Sequence, residues 1–546
     1  MNLKDTTLYK VLIALLVFVS SLALFSGVME PDGALYASMA KNIIIFEDWF
    51  NLYGRGADWL DKPHLTFWIA AAFFKIFGIS AFAYKLPNFL FGLLGAWYLY
   101  KLAKDIYNEK TGLISAVIFL SALHIGTSTF DVRAEIYITT FTLASIYHYY
   151  KAQNHSFWHI VAGSFFAASA ILVKGIFVLI PVFAGFIIYW LFTKQYKQLW
   201  QLKWWIAIVL IFVFITPELY SLYTQFDLHP EKVVFNRTGV SGLKFFFWDS
   251  QFGRFFNNGP IKGKGDISFF LHTTLWAFLP WSVLLYAAVV DLFKKKNRVS
   301  LAPESIMIWA SATVTFLIFS LSKFQLPHYI LIIFPQFSII TALYLQKLEL
   351  KGLKAFLMVQ NIIYALVILI LSALAYFFGF NSYVLAIIIL ASLFLFAFWF
   401  FKGTKTETII GRSVFLSVGL MIYLFVFFYP AALKYQSGSE AATWLKQNYP
   451  TAKPAVLNYI DAFSFDFYAP GEVKYLWNYD DLNQYKSTKD LVVYVSETEL
   501  SKLKTLYNVK VLNSFEYFHI SKLTPKFLNK HTRNQVLEHF YLVKVE

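Results

Sequence analysis

Between two strongly apolar runs, residues 30–62 carry six carboxylates: Glu30, Asp32, Glu47, Asp48, Asp58 and Asp61. Further along, Asp131, Arg133 and Glu135 interrupt a greasy region, and Lys62, Lys174, Arg254 and Lys323 stand at the edges of others. The basic members suit phosphate, because an arginine can fork two acceptor oxygens while a lysine supplies a point charge. A carboxylate beside them does something different, since it can accept a proton from, or orient, an attacking hydroxyl. Each residue also has a plainer reading. Asp32 can cap a helix beginning near Gly33, and a lysine at a helix end can snorkel to a polar interface. Asp and Glu cannot reach as far, so their repeated appearance beside apolar segments points to a polar cavity.

The elements that must position these charges are membrane helices. The chain is 58% hydrophobic and 20% aromatic with a mean hydropathy of +0.55, beyond what soluble domains show, so a polytopic integral membrane protein is expected. About thirteen crossings are read, near 10–29, 83–101, 111–127, 134–150, 158–173, 176–193, 203–220, 270–291, 305–321, 328–345, 355–377, 382–401 and 410–430. Lys174 and Gly175 split the fifth from the sixth, and the run 65–79 is read as a helix lying on the outer face. This count starts the chain on the cytoplasmic side and leaves the basic connectors KLAKDIYNEK, KQYKQLWQLK, FKKKNR, KLELKG and FKGTKTE inside. Those connectors carry much of the +15 formal charge, which therefore points to anionic lipid rather than to nucleic acid. Two long loops, 30–82 and 221–269, fall outside with the charges above, and the second, rich in Gly and Asn, suits a lid. The expected division is a transmembrane domain over 1–430 and a small soluble α/β domain over 431–546 on the outer side.

Cysteine is absent, which excludes disulfide and thiolate chemistry. Walker, dinucleotide, HExxH, CxxC and GxSxG motifs are absent too, which weighs against ATPase, NAD-enzyme and serine-hydrolase readings.

Several ordered motifs go further. They are Glu30-Pro31-Asp32 with Tyr36 and AKNIIIFEDW; Asp61-Lys62-Pro63 with Leu65 and TFW; Lys85-Leu86-Pro87; Lys174-Gly175; FFFWDSQFGRF from Phe245 to Phe255; and SLSKFQLPHYILIIFP from Ser320 to Pro335. Together they make residues 1–345 resemble the bacterial lipid-linked sugar transferases, a group that includes the aminoarabinose transferase of lipid A and, more distantly, the protein O-mannosyltransferases. The resemblance implies an all-α GT-C glycosyltransferase fold. It also implies transfer of sugar from an undecaprenyl-phosphate-type carrier to a lipid, glycan or protein acceptor on the periplasmic face of a bacterial inner membrane, with no ATP.

In that light Asp32 is the candidate base, and Asp131 and Glu135 are further catalytic candidates. Four apart, the latter two share a helix face if the helix starts early; an ion pair or cap is the alternative for each. Lys62, Lys174, Arg254 and Lys323 become candidate ligands of the carrier phosphate, while Pro327 and Tyr329 read as a helix start and an interface aromatic. The chain departs from the resembled pattern at Gly33, where a second carboxylate is usual, and at Gln251, where a metal-binding His is usual. No cofactor is required, but a divalent cation on Asp61 with His64, Asp249 or His272 is left open. The competing readings are a transporter or flippase of a lipid-linked precursor, whose polar residues should continue across the membrane, and a noncatalytic envelope receptor or assembly protein.

Overall fold

The computed structural model describes residues 5–154, 156–294, 302–458 and 462–545. Most of the FKKKNR connector and the first four residues lie outside the described residues. The chain opens with helix α1 (Asp5–Ser21), α2 (Asp32–Phe46), a short hairpin of β1 (Tyr53–Gly54) and β2 (Ala57–Asp58), α3 (Leu65–Phe77) and α4 (Ala81–Ile106). There follow α5 (Glu109–Ser121), α6 (Leu123–Phe130), α7 (Ala134–Ala152), α8 (Trp158–Lys174) and α9 (Ile180–Phe192). Local chemistry sets several starts: the Ser80 side chain accepts from the Ala83 N–H at the head of α4, and Asn108 accepts from Thr111 at the head of α5.

Every segment expected to cross the membrane is helical. Among the described residues, seven helices are long and apolar enough to cross a bilayer, or eight if α5 and α6, bent by 54°, form one broken span. The physical reason that this falls below the expected thirteen is visible in the remaining helices. α8 is short, α7 carries Thr, His and Tyr, and 269–292 is divided into helices Phe269–Ala277 and Ser282–Leu292.

α7 is the buried centre of the bundle, with α4 and α8 against it. Several of its polar side chains are paired with carbonyls, Thr140 donating to that of Phe91, Thr142 to that of Ile138 and Ser145 to that of Gly163, while among the described residues the buried Thr139 hydroxyl has no partner. The helices Leu350–Phe378 and Tyr383–Phe400, by contrast, leave Leu369 and Leu395 66% and 71% exposed, as lipid-facing surfaces do.

The C-terminal region forms a mixed five-stranded sheet in the order β4-β3-β5-β7-β6, from β3 (Lys453–Leu457), β4 (Lys474–Leu476), β5 (Leu491–Ser496), β6 (Val509–Tyr517) and β7 (Glu538–Val545). β3 runs parallel to β4 and β5, and β7 runs antiparallel to β5 and β6. This region grips the loop that follows α1. Gln436 accepts from the Glu30 N–H and donates to the Val28 carbonyl, Ser464 N–H donates to the Glu30 carboxylate, and Tyr468 accepts from the Val28 N–H. Buried Lys41 of α2 donates to the carbonyls of Asp466 and Ala469. α2, which begins at Asp32, is therefore held by residues some 400 positions away.

Candidate functional site

α2 places Asp32 at its first turn, and the chain between α6 and α7 brings Arg133 against it. The guanidinium spans two carboxylates: Nη1 donates to Asp32 Oδ2, while Nε and Nη2 donate to Asp131 Oδ2 at 2.8 and 2.5 Å. Among the described residues Asp32 Oδ1 has no partner. Gly33 fits this arrangement, because a Cβ there would meet Asp131 Oδ1 at 3.1 Å. A second carboxylate at position 33 would face the one Asp131 already supplies. Burial pushes the Asp131 carboxyl up, against the pull of Arg133.

One helical turn on, Glu135 is buried and accepts from Lys174 Nζ, and His328 Nε2 stands 3.7 Å from the same carboxylate. Both Asp131 and Glu135 are thus engaged, each by a different cation. Lys174 reaches Glu135 from the end of α8 and lies 3.8 Å from the centre of the Tyr329 ring. The helix breaks at Gly175, whose φ of +105° suits glycine. Gln251 fills the space where a Cβ of residue 175 would sit. Its amide Nε2 donates to the Lys174 carbonyl at 3.0 Å and its Oε1 accepts from the Phe177 N–H at 3.4 Å, so the amide bridges the two sides of the break.

Across the chamber, Asp61 accepts from Arg254 Nη2 through Oδ1 and from Lys62 Nζ at 2.8 Å through Oδ2. Burial opposes its ionisation, but Lys62 and Arg254 outweigh it and hold the carboxyl down to about 2. Arg254 is mostly buried, stacks over Phe324 at 5.5 Å, and among the described residues its Nε has no hydrogen-bond partner. A buried donor of this kind is costly unless a ligand meets it.

These groups enclose a cavity of about 230 Å³ lined by Asp32, Tyr36, Trp59, Asp61, Lys62, Arg133, Glu135, Lys174, Arg254, His328 and Tyr329. It shares Asp61, Lys62, Glu135, Lys174, Arg254 and Tyr329 with a second, largely apolar hollow walled by side chains such as Leu60, Ile138, Phe245, Phe246, Phe319 and Ile332. A charged chamber and a greasy groove therefore run into each other. The chamber balances its charges: Asp32, Asp131, Glu135 and Asp61 are matched by Arg133, Lys174, Lys62 and Arg254.

Six sequence candidates line the chamber, Asp32, Asp61, Lys62, Glu135, Lys174 and Arg254, and Asp131 stands behind them, bonded to Arg133. Lys323 does not line either cavity; its side chain is exposed, and its backbone N–H is tied to the Phe255 carbonyl. The candidate metal ligands are scattered. His64 is fully buried with Nδ1 3.0 Å from Glu218 Oε2 and Nε2 3.1 Å from the Phe50 carbonyl, while His272 is exposed and Asp249 lies outside both cavities. Among the described residues no group of three His, Cys, Asp or Glu is placed to hold a metal ion, and Asp61 already has a cation on each oxygen. As placed, these donors do not fit a metal.

Sequence reasoning quoted Tyr36 and His328 within motifs without giving them a site role, missed Trp59, and gave Tyr329 a purely structural role. Burial and the neighbouring Asp32, Asp61 and Glu135 push the Tyr36 hydroxyl well above its ordinary range. Its spacing of four from Asp32 on α2 is the signal that could have found it.

Comparison with known proteins agrees with the architecture. Residues 61–220 match the family described as dolichyl-phosphate-mannose-protein mannosyltransferase. The chain is 28% identical over 361 residues to an uncharacterized protein of Aquifex aeolicus, covering 64% of this chain and 65% of that one. It is 26% identical over 355 residues to the undecaprenyl phosphate-alpha-4-amino-4-deoxy-L-arabinose arabinosyl transferase of Wigglesworthia glossinidia brevipalpis, covering 63% and 59%. The match thus spans about three fifths of the length of these relatives. In three dimensions, the crystal structure of ArnT from Cupriavidus metallidurans bound to undecaprenyl phosphate superposes with a TM-score of 0.77 at 16% identity, over 98% of this chain and 97% of the other. The chain is a polytopic, mostly helical membrane protein with a GT-C-like fold and a small β-containing C-terminal region, and over part of its length it is similar in sequence to undecaprenyl phosphate-alpha-4-amino-4-deoxy-L-arabinose arabinosyl transferases.

Proposed function

From that similarity, we propose that the protein transfers a glycosyl unit from an undecaprenyl-phosphate-type carrier to a lipid, glycan or protein acceptor at the periplasmic face of a bacterial inner membrane. The observation that carries this reading is the junction of groove and chamber, with the unpartnered Arg254 Nε on its wall. An isoprenyl tail suits the apolar side and its phosphate the side bearing Lys62, Lys174 and Arg254. The proposed topology has about thirteen crossings, a cytoplasmic N-terminus, a membrane domain over 1–430 and a periplasmic domain over 431–546.

In the proposed reaction the acceptor hydroxyl oxygen attacks the anomeric carbon, and its proton passes to Asp32. The bond from that carbon to the phosphate oxygen breaks, its electron pair staying on the carrier phosphate. Charge develops on that oxygen, so cations preplaced around it stabilise the transition state more than the ground state. Asp61 keeps Lys62 and Arg254 together until the phosphate takes its share of their hydrogen bonds. Arg133 orients the Asp32 carboxylate and leaves Oδ1 to face the acceptor. No step needs a nucleotide, because the sugar arrives activated.

The test is transfer of label from defined isoprenyl-phosphate sugars to extracted envelope acceptors by the purified full chain. Label should appear on one acceptor class with release of isoprenyl phosphate. Failure with every donor, together with movement of a carrier-linked precursor across vesicles, would replace this reading with a transporter.

A further inference from the structure

A separate cavity, of about 290 Å³, opens where the helix Leu350–Phe378 ends and the helix Tyr383–Phe400 begins, beside Arg533 of the C-terminal region. Arg533 lies on its wall and is only 7% exposed. Its Nε donates to the Phe527 carbonyl at 2.9 Å, Nη1 to the Tyr435 hydroxyl at 2.7 Å and Nη2 to the Phe378 carbonyl at 2.7 Å. The guanidinium also sits 4.1 Å from the Phe378 ring centre and 4.9 Å from that of Tyr435. All of these partners are neutral. Of the five N–H groups of a guanidinium, three are used by them, and among the described residues no carboxylate pairs with Arg533 or lines the cavity.

A cation taken out of water without a counter-charge is expensive, and aromatic faces and carbonyl dipoles recover only part of that cost. At the rim Lys434 is exposed on the same wall, within electrostatic reach of the Glu440 carboxylate outside the cavity, and the Lys530 ammonium lies 5.2 Å from the Tyr376 ring. Asn381 and Ser382 add polar groups at the mouth. Beside that mouth the surface turns greasy: Tyr376, Phe377, Val384 and Val426 are all exposed on the ends of the helices. The cavity therefore combines a buried, anion-deficient end with an apolar flank at the lipid-facing surface. This is on the same end of the helix bundle as Asp32, since the segment around Ser521 bonds to the Glu30 carbonyl.

We propose that this cavity binds the phosphate of a membrane-lipid headgroup, with Arg533 and Lys434 on the phosphate and the acyl chains along the flanking helices. The site is separate from the carrier chamber and does not depend on the transfer reaction. Its occupant would complete the junction between the helical bundle and the C-terminal region that holds α2.

The test uses the delipidated full chain in neutral detergent, with lipid binding read by native mass spectrometry and thermal unfolding. The probes are phosphatidylglycerol, diacylglycerol of the same chains, and inorganic phosphate. All measurements are made in an Arg254→Ala background, so that binding in the carrier chamber is weakened. Phosphatidylglycerol should bind and raise the melting temperature; neither other probe should do so at the same concentration. Lys434→Glu, at an exposed position, should weaken phosphatidylglycerol binding about 10-fold without changing the unliganded melting temperature. Arg533→Gln, if folded, should abolish it. Equal binding of diacylglycerol, protection by inorganic phosphate alone, or unchanged phosphatidylglycerol binding in Lys434→Glu would each overturn the proposal.

Discussion

The two cavities handle charge in opposite ways. In the chamber each of four cations has a carboxylate within bonding distance; around Arg533, among the described residues, the cation has only carbonyls, a hydroxyl and aromatic rings. A charge held by a carboxylate can be exchanged for another anion at modest cost, because the carboxylate it leaves behind keeps a second partner. Asp61 illustrates this, shared between Lys62 and Arg254, and Arg133 is the mirror case, shared between Asp32 and Asp131. A charge held by neutral dipoles has no such exchange and serves a standing role. The chamber suits turnover, the second cavity attachment.

That contrast is sharpest at Asp32. Asp32→Asn keeps the size of the side chain and removes the proton acceptor, so kcat should fall by about 10²–10⁴-fold with little change in KM. Arg254→Ala should lower kcat/KM by about 10²–10³-fold, and Arg254→Lys should recover part of it, since a lysine restores charge but not the fork. Gln251→Ala should cost less, about 10-fold, by loosening the break that aims Lys174; a carrier-binding measurement should register the loss alongside turnover. Lys323→Gln should change neither by more than about 2-fold, because a surface charge is screened and lies outside both cavities.

The smallest effect concerns stability at the junction between α2 and the C-terminal region. Burial pushes the Asp466 carboxyl up to about 6, with Lys41 and the Tyr475 hydroxyl pulling the other way. A folded-state value above the unfolded one favours the protonated form. The contribution is fully present below about pH 4 and is lost as the pH rises through 6. Asp466→Asn should therefore raise the melting temperature by a few degrees, about 2–6 °C, at pH 7.5, with the gain vanishing near pH 4. A gain independent of pH would contradict the assignment.

Much of this was legible in the sequence, for a definite reason. Charges are so scarce in this chain that those near apolar segments had to share a polar space, and six of the candidates line it, with Asp131 behind Arg133. What the sequence could not supply was pairing. In the sequence Arg133 is only a charge between Asp131 and Glu135, yet its fork between Asp32 and Asp131 exists because α2 and the start of α7 meet in space. Lys323 failed in the other direction: its neighbours Ser322 and Phe324 line the apolar hollow, and the lysine between them turns outward. Tyr329 was read as an interface aromatic because that is the usual place for tyrosine beside a membrane, and the contact with Lys174 carries no sequence period. In the C-terminal region PAVLNY, DLVVYVS and KVLNSFEYFHIS read as strands, FSFDFYA as helix or turn and ETELSKLKTLY as helical by pattern, whereas the helix Tyr479–Tyr485 carries no such signal. β4, at three residues, was too short to show, and β7 is recognisable only through its pairing with β5 and β6.

In the proposed reaction, proton acceptance and phosphate holding are separate roles on different walls of one chamber. The direct measurement is undecaprenyl-phosphate binding by Asp32→Asn and Arg254→Ala, set beside sugar transfer by the same proteins. Asp32→Asn should bind the carrier within about 2-fold of wild type while losing at least about 99% of transfer, and Arg254→Ala should bind at least about 10-fold more weakly. Retained transfer by Asp32→Asn, or wild-type carrier binding by Arg254→Ala, would contradict the account.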